Sequence, residues 1–257
     1  MSSTGATGIE DVTGVALPAT ADGAALLATV EPIELFAEFG IRAFTTTRAT
    51  GSFASASDEP IRSALGRWAA LRAALGPAGG RFATASQVHG AAVVVHDGAW
   101  TGWLRGDAAD GHVAPHGGMS MAVTVADCTP VFIAHPSGAM ALLHAGWRGV
   151  AADILGVGVR ALAAHGRAAG DLRVHFGPSI CGACYEVGPE VHLALTGRRV
   201  TEPAPIDVRA VLADQARALG VRDISASAEC TRCTPGRYFS HRGGDAGRQL
   251  GVMARPA

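Results

Sequence analysis

The sequence predicts an α+β fold in a single domain. Strand-like segments outnumber helix-like segments and do not strictly alternate with them, which argues against a doubly wound parallel sheet. The 257 residues are enough to bury a substantial core without help from disulfides. Because neither a repeat nor a long linker divides the sequence, we expect one domain over residues 31–257, preceded by a flexible tail over residues 1–30.

The predicted strands are runs of β-branched and other apolar residues, most of them bounded by turn-forming residues. The strands on either side of the turn at residues 135–138 are expected to be neighbours in one sheet. In chain order the predicted strands are IRAFTTTR (41–48), AAVVVHDG (91–98), MSMAVTV (119–125), VFIAH (131–135), AMALLH (139–144), DLRVHFG (171–177) and two strands joined by a glycine turn in RYFSHRGGDAGRQLGVM (237–253).

Three segments carry apolar residues at helical spacing. The first begins near Pro60, which suits a first helical turn, and stops at Gly76. The second covers residues 150–165, and the third covers residues 207–220 with Asp207 as its cap. The predicted apolar face of the first helix consists of Ile61, Leu65, Trp68 and Leu75.

Composition excludes several classes of function. The net charge of −1 gives no long-range field to hold nucleic acid or an anionic membrane. No stretch reaches the roughly 18 apolar residues of a spanning helix, and the first residues lack the basic and apolar regions of a secretory signal, so we expect a cytoplasmic protein. The sequence contains no lysine, which excludes Schiff-base chemistry and a phosphate-binding P-loop.

Three potential metal ligands stand at strand ends or sharp turns. They are His89 in QVHG, Cys128 in ADCTP and His144 in HAGWRG. Two imidazoles and a thiolate can hold zinc in three tetrahedral positions and leave the fourth open, as in a catalytic site. Two other interpretations remain open: each histidine is a hydrogen-bonded structural residue, or Cys128 is a nucleophile with His89 or His144 as base and Asp127 as the orienting carboxylate.

Two C-x-x-C pairs suggest a second kind of metal site. Cys181 and Cys184 form one pair, and Cys230 and Cys233 form the other. A zinc ribbon is the natural hypothesis, but the segment between the pairs is much longer than the roughly 15–20 residues of such modules. The sequence therefore favours buried free thiols at these positions.

Several arginines are candidates for binding an anion such as phosphate. Arg148 lies at the predicted start of a helix, between two glycines and beside Trp147, whose ring could stack on a base. Arg48, Arg242 and Arg248 are further candidates. The alternative for each is a solvated surface arginine.

The motifs QVHG, ADCTPV, HAGWRG, FGPSICGACYEVGPEV and CT…YFSHR…GRQ appear in the order found in the laccase-domain, or multicopper polyphenol oxidase, family. The sequence resembles that family from about Arg48 to the C-terminus. The resemblance implies a zinc-dependent purine nucleoside phosphorylase and adenosine deaminase, a four-layer α/β/β/α sandwich with mixed sheets, and usually a monomer. It implies that His89, Cys128 and His144 are the metal ligands.

The resemblance also suggests roles for the other candidates. A zinc ion with three protein ligands lowers the pKa of bound water towards about 7, which suits hydrolytic deamination at C6 of adenosine, with Asp127 moving the proton. For phosphorolysis, phosphate would lie near Arg148 and Arg48. The sequence departs from the family in the loop ATGSFASASDEP and at Gly66-Arg67, where the family has an Asn-Arg pair.

Other functions remain as alternatives. The family name suggests copper oxidation of phenols, but multicopper sites use closely spaced histidine pairs, and none of the ten histidines forms a His-x-His pair. Copper at a His2Cys site is still compatible with the ligand types. A cytoplasmic amidase that edits peptidoglycan precursors, with Cys128 as nucleophile, is a second alternative. A catalytically silent binding protein is a third.

Overall fold

The computed structural model describes residues 23–55 and 59–257. The helices are α1 Gly23–Leu27, α2 Ile61–Ala74, α3 Trp147–Ala151, α4 Ile154–Ala163, α5 Pro189–Thr196 and α6 Val208–Ala218. The strands are β1 Glu31–Pro32, β2 Arg42–Thr45, β3 Arg81–Ala85, β4 Val93–Val95, β5 Gly102–Gly106, β6 Gly111–Ala114, β7 Met119–Val125, β8 Thr129–Ala134, β9 Met140–Ala145, β10 Arg173–Phe176, β11 Glu186–Val187, β12 Ala204–Pro205, β13 Asp223–Ala226 and β14 Gln249–Arg255.

Two six-stranded mixed sheets form the centre of the molecule. The first has the order β1-β2-β14-β7-β3-β5, and the second has the order β13-β10-β8-β9-β6-β4. In the first sheet β3 pairs parallel with β5 and β7, whereas β14 pairs antiparallel with β2 and β7. In the second sheet β8 and β9 form an antiparallel pair, as the sequence predicts for these neighbouring strands.

Three apolar cores separate four layers. One core lies between α1–α2 and the first sheet and contains Trp68 and Phe82, and a second fills the space between the sheets with Met121 and Phe132. The third core, around Leu143, lies between the second sheet and helices α3–α6. Because successive side chains of a strand point to opposite faces, β8 and β9 contribute to two cores at once. The predicted α+β, four-layer α/β/β/α fold is confirmed.

The N-terminal region and the first helix differ from the sequence prediction. Residues 1–22 of the expected tail lie outside the described residues, while residues 23–30 include α1, whose Leu26 is buried against α2. On α2 the exposed fractions of Ile61 and Leu65 are 52% and 50%, so the predicted face is only half right. The buried face consists of Ala64, Trp68, Leu71 and, just past the helix, Leu75.

Two further elements differ from the prediction. The helix expected over residues 150–165 is split into α3 and α4, because Asp153 takes a left-handed backbone (φ 61°) and its side chain caps α4 through the Gly156 amide. The segment expected as the first C-terminal strand forms turns, and only β14 is a strand there. Phe239 and Ser240 in this segment instead donate their amides to the side chains of Gln249 and Asp245.

No helix within the described residues combines the length and hydropathy required to cross a lipid bilayer.

Two buried histidines, His96 and His112, and the partly buried His175 predict that acid destabilises the fold. Burial lowers the pKa of His112 to about 3 and the pKa values of His96 and His175 to about 4, from 6.5. As the pH falls, the unfolded chain therefore binds these protons before the folded protein does. Each proton that only the unfolded chain has bound lowers the free energy of unfolding by about 1.4 kcal/mol per pH unit. Their contribution to stability is complete above about pH 6.5 and declines as the pH falls towards 4.

We expect urea denaturation between pH 7 and 4.5 to give a free energy of unfolding that falls with pH. His112→Gln should reduce this slope, whereas His116→Gln, at an exposed histidine, should leave it unchanged. An identical slope in His112→Gln and wild type would contradict the assignment.

Candidate metal centre

The pairing of β8 with β9 brings two of the three candidate ligands together. In this antiparallel pair Thr129 lies opposite Ala145 and Pro130 opposite His144. Cys128 directly precedes β8, so it lies across from Gly146, the residue that follows β9. Extending the alternation of the strands places Cys128 and His144 on the same face of the sheet. The pairing of β8 with β9 therefore brings the Cys128 thiol and the His144 imidazole to the same end of these two strands.

The third candidate, His89, lies in the loop that follows β3. Gln87 fixes this loop to β7: its amide nitrogen donates to the Thr124 carbonyl (2.8 Å), and its amide oxygen accepts from the Thr124 amide (2.7 Å) and hydroxyl (2.8 Å). His89 itself has a φ of 60°, a region that non-glycine residues seldom adopt. Such a conformation persists where surrounding contacts enforce it, and it is concentrated at functional sites.

Those enforcing contacts come from the carboxylate of Asp110, which is fully buried. It accepts hydrogen bonds from the backbone amides of Val88 (3.2 Å), His89 (2.9 Å) and Gly90 (2.7 Å). It also accepts from Nδ1 of His144 at 2.8 Å. Because a carboxylate can only accept, Nδ1 of His144 carries the proton and Nε2 is left to bind a ligand.

The three ligand atoms of His89, Cys128 and His144 all lie within 4.8 Å of one another. The imidazole rings meet edge to face, with centroids 4.8 Å apart. A Cβ on Gly146 would lie 3.1 Å from both the Cys128 sulfur and the His89 ring, so only glycine fits there comfortably. Two imidazole nitrogens and a sulfur at this spacing fit a single zinc ion, whose bonds to such ligands are about 2.0–2.3 Å long.

The electrostatics of the site favour a thiolate at Cys128 and a protonated imidazole at His144. Burial raises the pKa of the Cys128 thiol, but the His144 charge and the hydrogen bonds from both histidines outweigh it and lower the pKa to about 6. Burial lowers the pKa of His144, but the Cys128 thiolate and Asp110 raise it to about 9. Burial also raises the pKa of Asp110, and its hydrogen bonds to His144 and the loop amides hold it below the ordinary value. Cys128 is therefore predisposed to the thiolate form that metals bind.

Two cavities meet at this site. The larger one, about 570 Å³, is lined on one side by apolar and aromatic side chains that include Phe53, Trp68 and Trp103, and it also contains polar groups such as Gln87 and Arg105. The smaller one, about 260 Å³, is lined by Trp147, Arg148, Tyr185 and Arg242 among others. His89, Cys128 and His241 line both cavities. His89 and Cys128 therefore lie between a large cavity with an aromatic wall and a small cavity that contains two arginines.

Asp127 and Arg242 lie beside the ligands in the smaller cavity. Asp127 has a φ of 80°, and its two carboxylate oxygens accept from the Thr231 hydroxyl and the Arg242 backbone amide, both at 2.6 Å. The guanidinium of Arg242 lies over the Tyr185 ring, 5.1 Å from its centroid, and donates to the Glu186 carbonyl. Asp127 thus ties the C-terminal turn to the strand end that carries Cys128.

The fold places some of the candidate anion-binding arginines at the two cavities and one of them away from both. Arg148 packs over Trp147 at the smaller cavity, but α3 has only five residues and gives little helix dipole for an anion. Arg48 lines neither of the two cavities that meet at the site: its guanidinium pairs with Asp245 at 2.7 Å and covers the Phe239 ring. Arg248 lines the larger cavity and donates to backbone carbonyls of its own loop.

Sequence reasoning missed two residues of the site, Asp110 and His241. Asp110 precedes β6 in the segment DAADGHV, where an aspartate before a strand looks like an ordinary turn residue. His241 lies in the motif SHR, in which the sequence indicates a role only for the arginine, Arg242. Neither residue has a local signal, because each depends on groups brought near by the sheet order.

Asp110→Asn should weaken metal binding about 10–100-fold, the usual cost of removing a residue that orients a ligand. The amide offers one acceptor oxygen where the carboxylate offers two, so both the His144 tautomer and the His89 loop lose support. Competition with a chromophoric chelator measures the affinity, and circular dichroism checks the fold. Asp107→Asn, at an exposed position of the same segment, is the control. Equal affinity in the Asp110 variant and wild type would refute this positioning role.

Comparison with known proteins places this arrangement in a family. The chain is 37% identical over 165 residues to the purine nucleoside phosphorylase ORF3 of Streptomyces griseus, covering 61% of this chain and 67% of that protein. It is 35% identical over 139 residues to the adenosine deaminase RL5 of an unknown prokaryotic organism, covering 49% and 53%. The crystal structure of Bacillus licheniformis YfiH has the same fold, with a TM-score of 0.78, 21% identity and coverage of 88% and 96%. A family model matches residues 52–256, and the chain belongs to the family it describes, the multi-copper polyphenol oxidoreductase laccases.

Proposed function

We propose that this protein is a zinc-dependent purine nucleoside enzyme that cleaves nucleosides with phosphate and deaminates adenosine. One observation carries the proposal: a larger cavity with an aromatic wall and a smaller cavity with two arginines meet at His89 and Cys128, two of the three candidate metal ligands. The names of the relatives, purine nucleoside phosphorylase and adenosine deaminase, describe the two reactions that such a pair of cavities suits.

The larger cavity suits a nucleoside. Trp68 and Trp103 pack at a centroid distance of 5.3 Å and offer aromatic surface to a purine. Thr84 and Ser86 lie on the same lining and offer polar groups for the sugar or the base edge. The exposed apolar side chains of Ile61 and Leu65, unusual on a helix surface, also border this cleft. Burial under a bound nucleoside gives them a reason to be apolar.

The smaller cavity suits phosphate. Arg148 and Arg242 bring two guanidinium groups to its lining, and each guanidinium already stacks on an aromatic ring. Guanidinium groups bind phosphate with paired, charge-assisted hydrogen bonds. Phosphate held here would lie across His89 and Cys128 from the larger cavity, which suits attack on the ribose C1′ while the purine leaves into that cavity.

His89, Cys128 and His144 would hold the zinc ion, and the imidazole and thiolate donors, with Asp110 behind His144, fit it. When bound, zinc supplies Lewis acidity and lowers the pKa of a water ligand. In phosphorolysis a phosphate oxygen bonds to C1′, the glycosidic bond breaks and the purine takes a proton. In deamination water adds at C6 and ammonia leaves. His241 borders both cavities and is placed to donate or accept these protons.

The cysteine amidase and copper alternatives make different demands on the same residues. The low pKa of Cys128, caused chiefly by His144, also suits a nucleophile. A His2Cys set also accepts copper, as in electron-transfer sites. An amidase would keep its activity in metal-free protein and would be trapped at Cys128 by an electrophile. A phenol oxidase would need copper.

We expect the purified protein to contain zinc and to convert adenosine with phosphate into adenine and ribose 1-phosphate, and adenosine alone into inosine. Cys128→Ala should lose the zinc of this site and both activities while keeping its fold, as judged by circular dichroism. Chromatography of products and elemental analysis measure these outcomes. Full zinc occupancy of the His2Cys site in Cys128→Ala, or turnover by protein freed of metal, would refute the proposal.

Arg148→Ala should separate the two reactions. Loss of a guanidinium that binds phosphate should raise the KM for phosphate by about tenfold or more, the equivalent of about 1.4 kcal/mol. Deamination uses no phosphate and should change less than twofold. Steady-state kinetics with varied phosphate measures the effect, with Arg217→Ala, at an exposed arginine of α6, as the matched control. Equal losses in both reactions would remove Arg148 from phosphate binding.

A further inference from the structure

Outside the nucleoside site, we infer that Cys181, Cys184, Cys230 and Cys233 form a second metal site, a closed four-thiolate site for a structural zinc ion. Their four sulfur atoms all lie within 4.8 Å of one another. Zinc–sulfur bonds of about 2.3 Å in a tetrahedron place sulfurs about 3.8 Å apart. A site of four protein ligands leaves no position for substrate, so its role is to hold segments of the chain together.

The fold explains how two distant pairs converge. Ser179 and Cys230 form an isolated parallel bridge, which aligns the segment after β10 with the segment after β13. Each C-x-x-C pair lies in a tight turn just beyond this bridge, and residues 185–229 leave and return between them. In a zinc ribbon the two cysteine pairs belong to one compact module, so few residues separate them in the sequence. Here neighbouring strands of a sheet bring the pairs together, so that limit on the number of intervening residues does not apply. The sequence expectation that these thiols are buried is wrong for three of them, since Cys230 alone of the four is buried.

The surroundings of Cys230 favour a thiolate. Its sulfur accepts hydrogen bonds from the backbone amides of Cys181 (3.2 Å) and Cys233 (3.4 Å). Hydrogen bonds from two backbone amides stabilise a negative charge on the sulfur, and the thiolate is the form of cysteine that binds zinc.

The same geometry argues against other uses of four cysteines. The Cys184 and Cys233 sulfurs are 3.4 Å apart, within contact distance but well beyond the roughly 2.05 Å of a disulfide bond. A [4Fe–4S] cluster binds each thiolate through a different iron atom and needs a wider cage. An all-sulfur tetrahedral set is typical of zinc. Glutamate, aspartate and histidine, the ligands preferred by harder cations, are absent from this cluster.

Residues next to the four cysteines contact the wall of the smaller cavity and hold it in place. Thr231, between Cys230 and Cys233, is fully buried and donates its hydroxyl to Asp127 at 2.6 Å. The Ile180 amide, next to Cys181, donates to the Asp127 carbonyl at 3.1 Å. Tyr185, next to Cys184, lines the cavity itself. A zinc ion that joins the two turns would therefore fix both ends of the Asp127 network that flanks Cys128.

Elemental analysis of protein purified under reducing conditions with added zinc tests the inference. Wild type should bind two zinc ions per chain. Cys233→Ser and Cys128→Ser should each bind one, and the double variant none. Gly236→Ala, in the turn that follows Cys233 and with open space around the new methyl group, should keep both ions. This count does not depend on enzymatic activity, so it can succeed even where the proposed function fails.

Cobalt substitution identifies the ligands of each ion. Cys128→Ser should show the intense sulfur-to-cobalt absorption of a four-thiolate site, and Cys233→Ser should lose it. Removal of zinc by a chelator should lower the thermal midpoint of Cys128→Ser. A zinc-free Cys128→Ser, or an unchanged zinc count in Cys233→Ser, would overturn the inference. A disulfide between any of the four cysteines, found by mass spectrometry in the reduced preparation, would also overturn it.

Discussion

The buried carboxylate of Asp110 is the interaction on which the candidate site depends. It binds three consecutive amides of the His89 loop and the ring of His144, so it joins a loop from one sheet to a strand of the other. A buried charge is stable only when it is fully paired, and this one is. Without it, His89 would have no reason to keep its left-handed backbone, which costs on the order of 1–3 kcal/mol.

Close backbone approach is the second constraint. Gly146 leaves room for the Cys128 sulfur and the His89 ring, and a Cβ on Gly149 would lie 2.7 Å from the Gly90 carbonyl. The glycines of HAGWRG therefore let the turn after β9 pack directly on the His89 loop. The tryptophan and arginine between them are left to face the smaller cavity. This division of roles explains why a tight turn carries so large a side chain.

The two cysteine-containing clusters are mechanically connected. Asp127 accepts from Thr231, which lies within the four-cysteine cluster, and directly precedes Cys128 of the His2Cys cluster. Arg242 donates its amide to the other oxygen of the same carboxylate. One aspartate therefore connects both clusters to the wall of the smaller cavity. The arrangement separates two tasks: an open ligand set faces the cavities, and a closed one stabilises the chain behind them.

The sequence by itself determined much of the framework. The central strands β7, β8 and β9, the capped helix α6 and the positions of Cys128 and His144 at strand ends follow from apolar runs and turn residues, which act locally. The tertiary structure decided what depends on distant neighbours. The sequence alone did not reveal Asp110, His241 or the convergence of the four cysteines. It also did not reveal the break between α3 and α4 at Asp153. Local patterns encode burial and turns, whereas a hydrogen bond or a shared ligand sphere between remote segments exists only once the order of strands in the sheets is set.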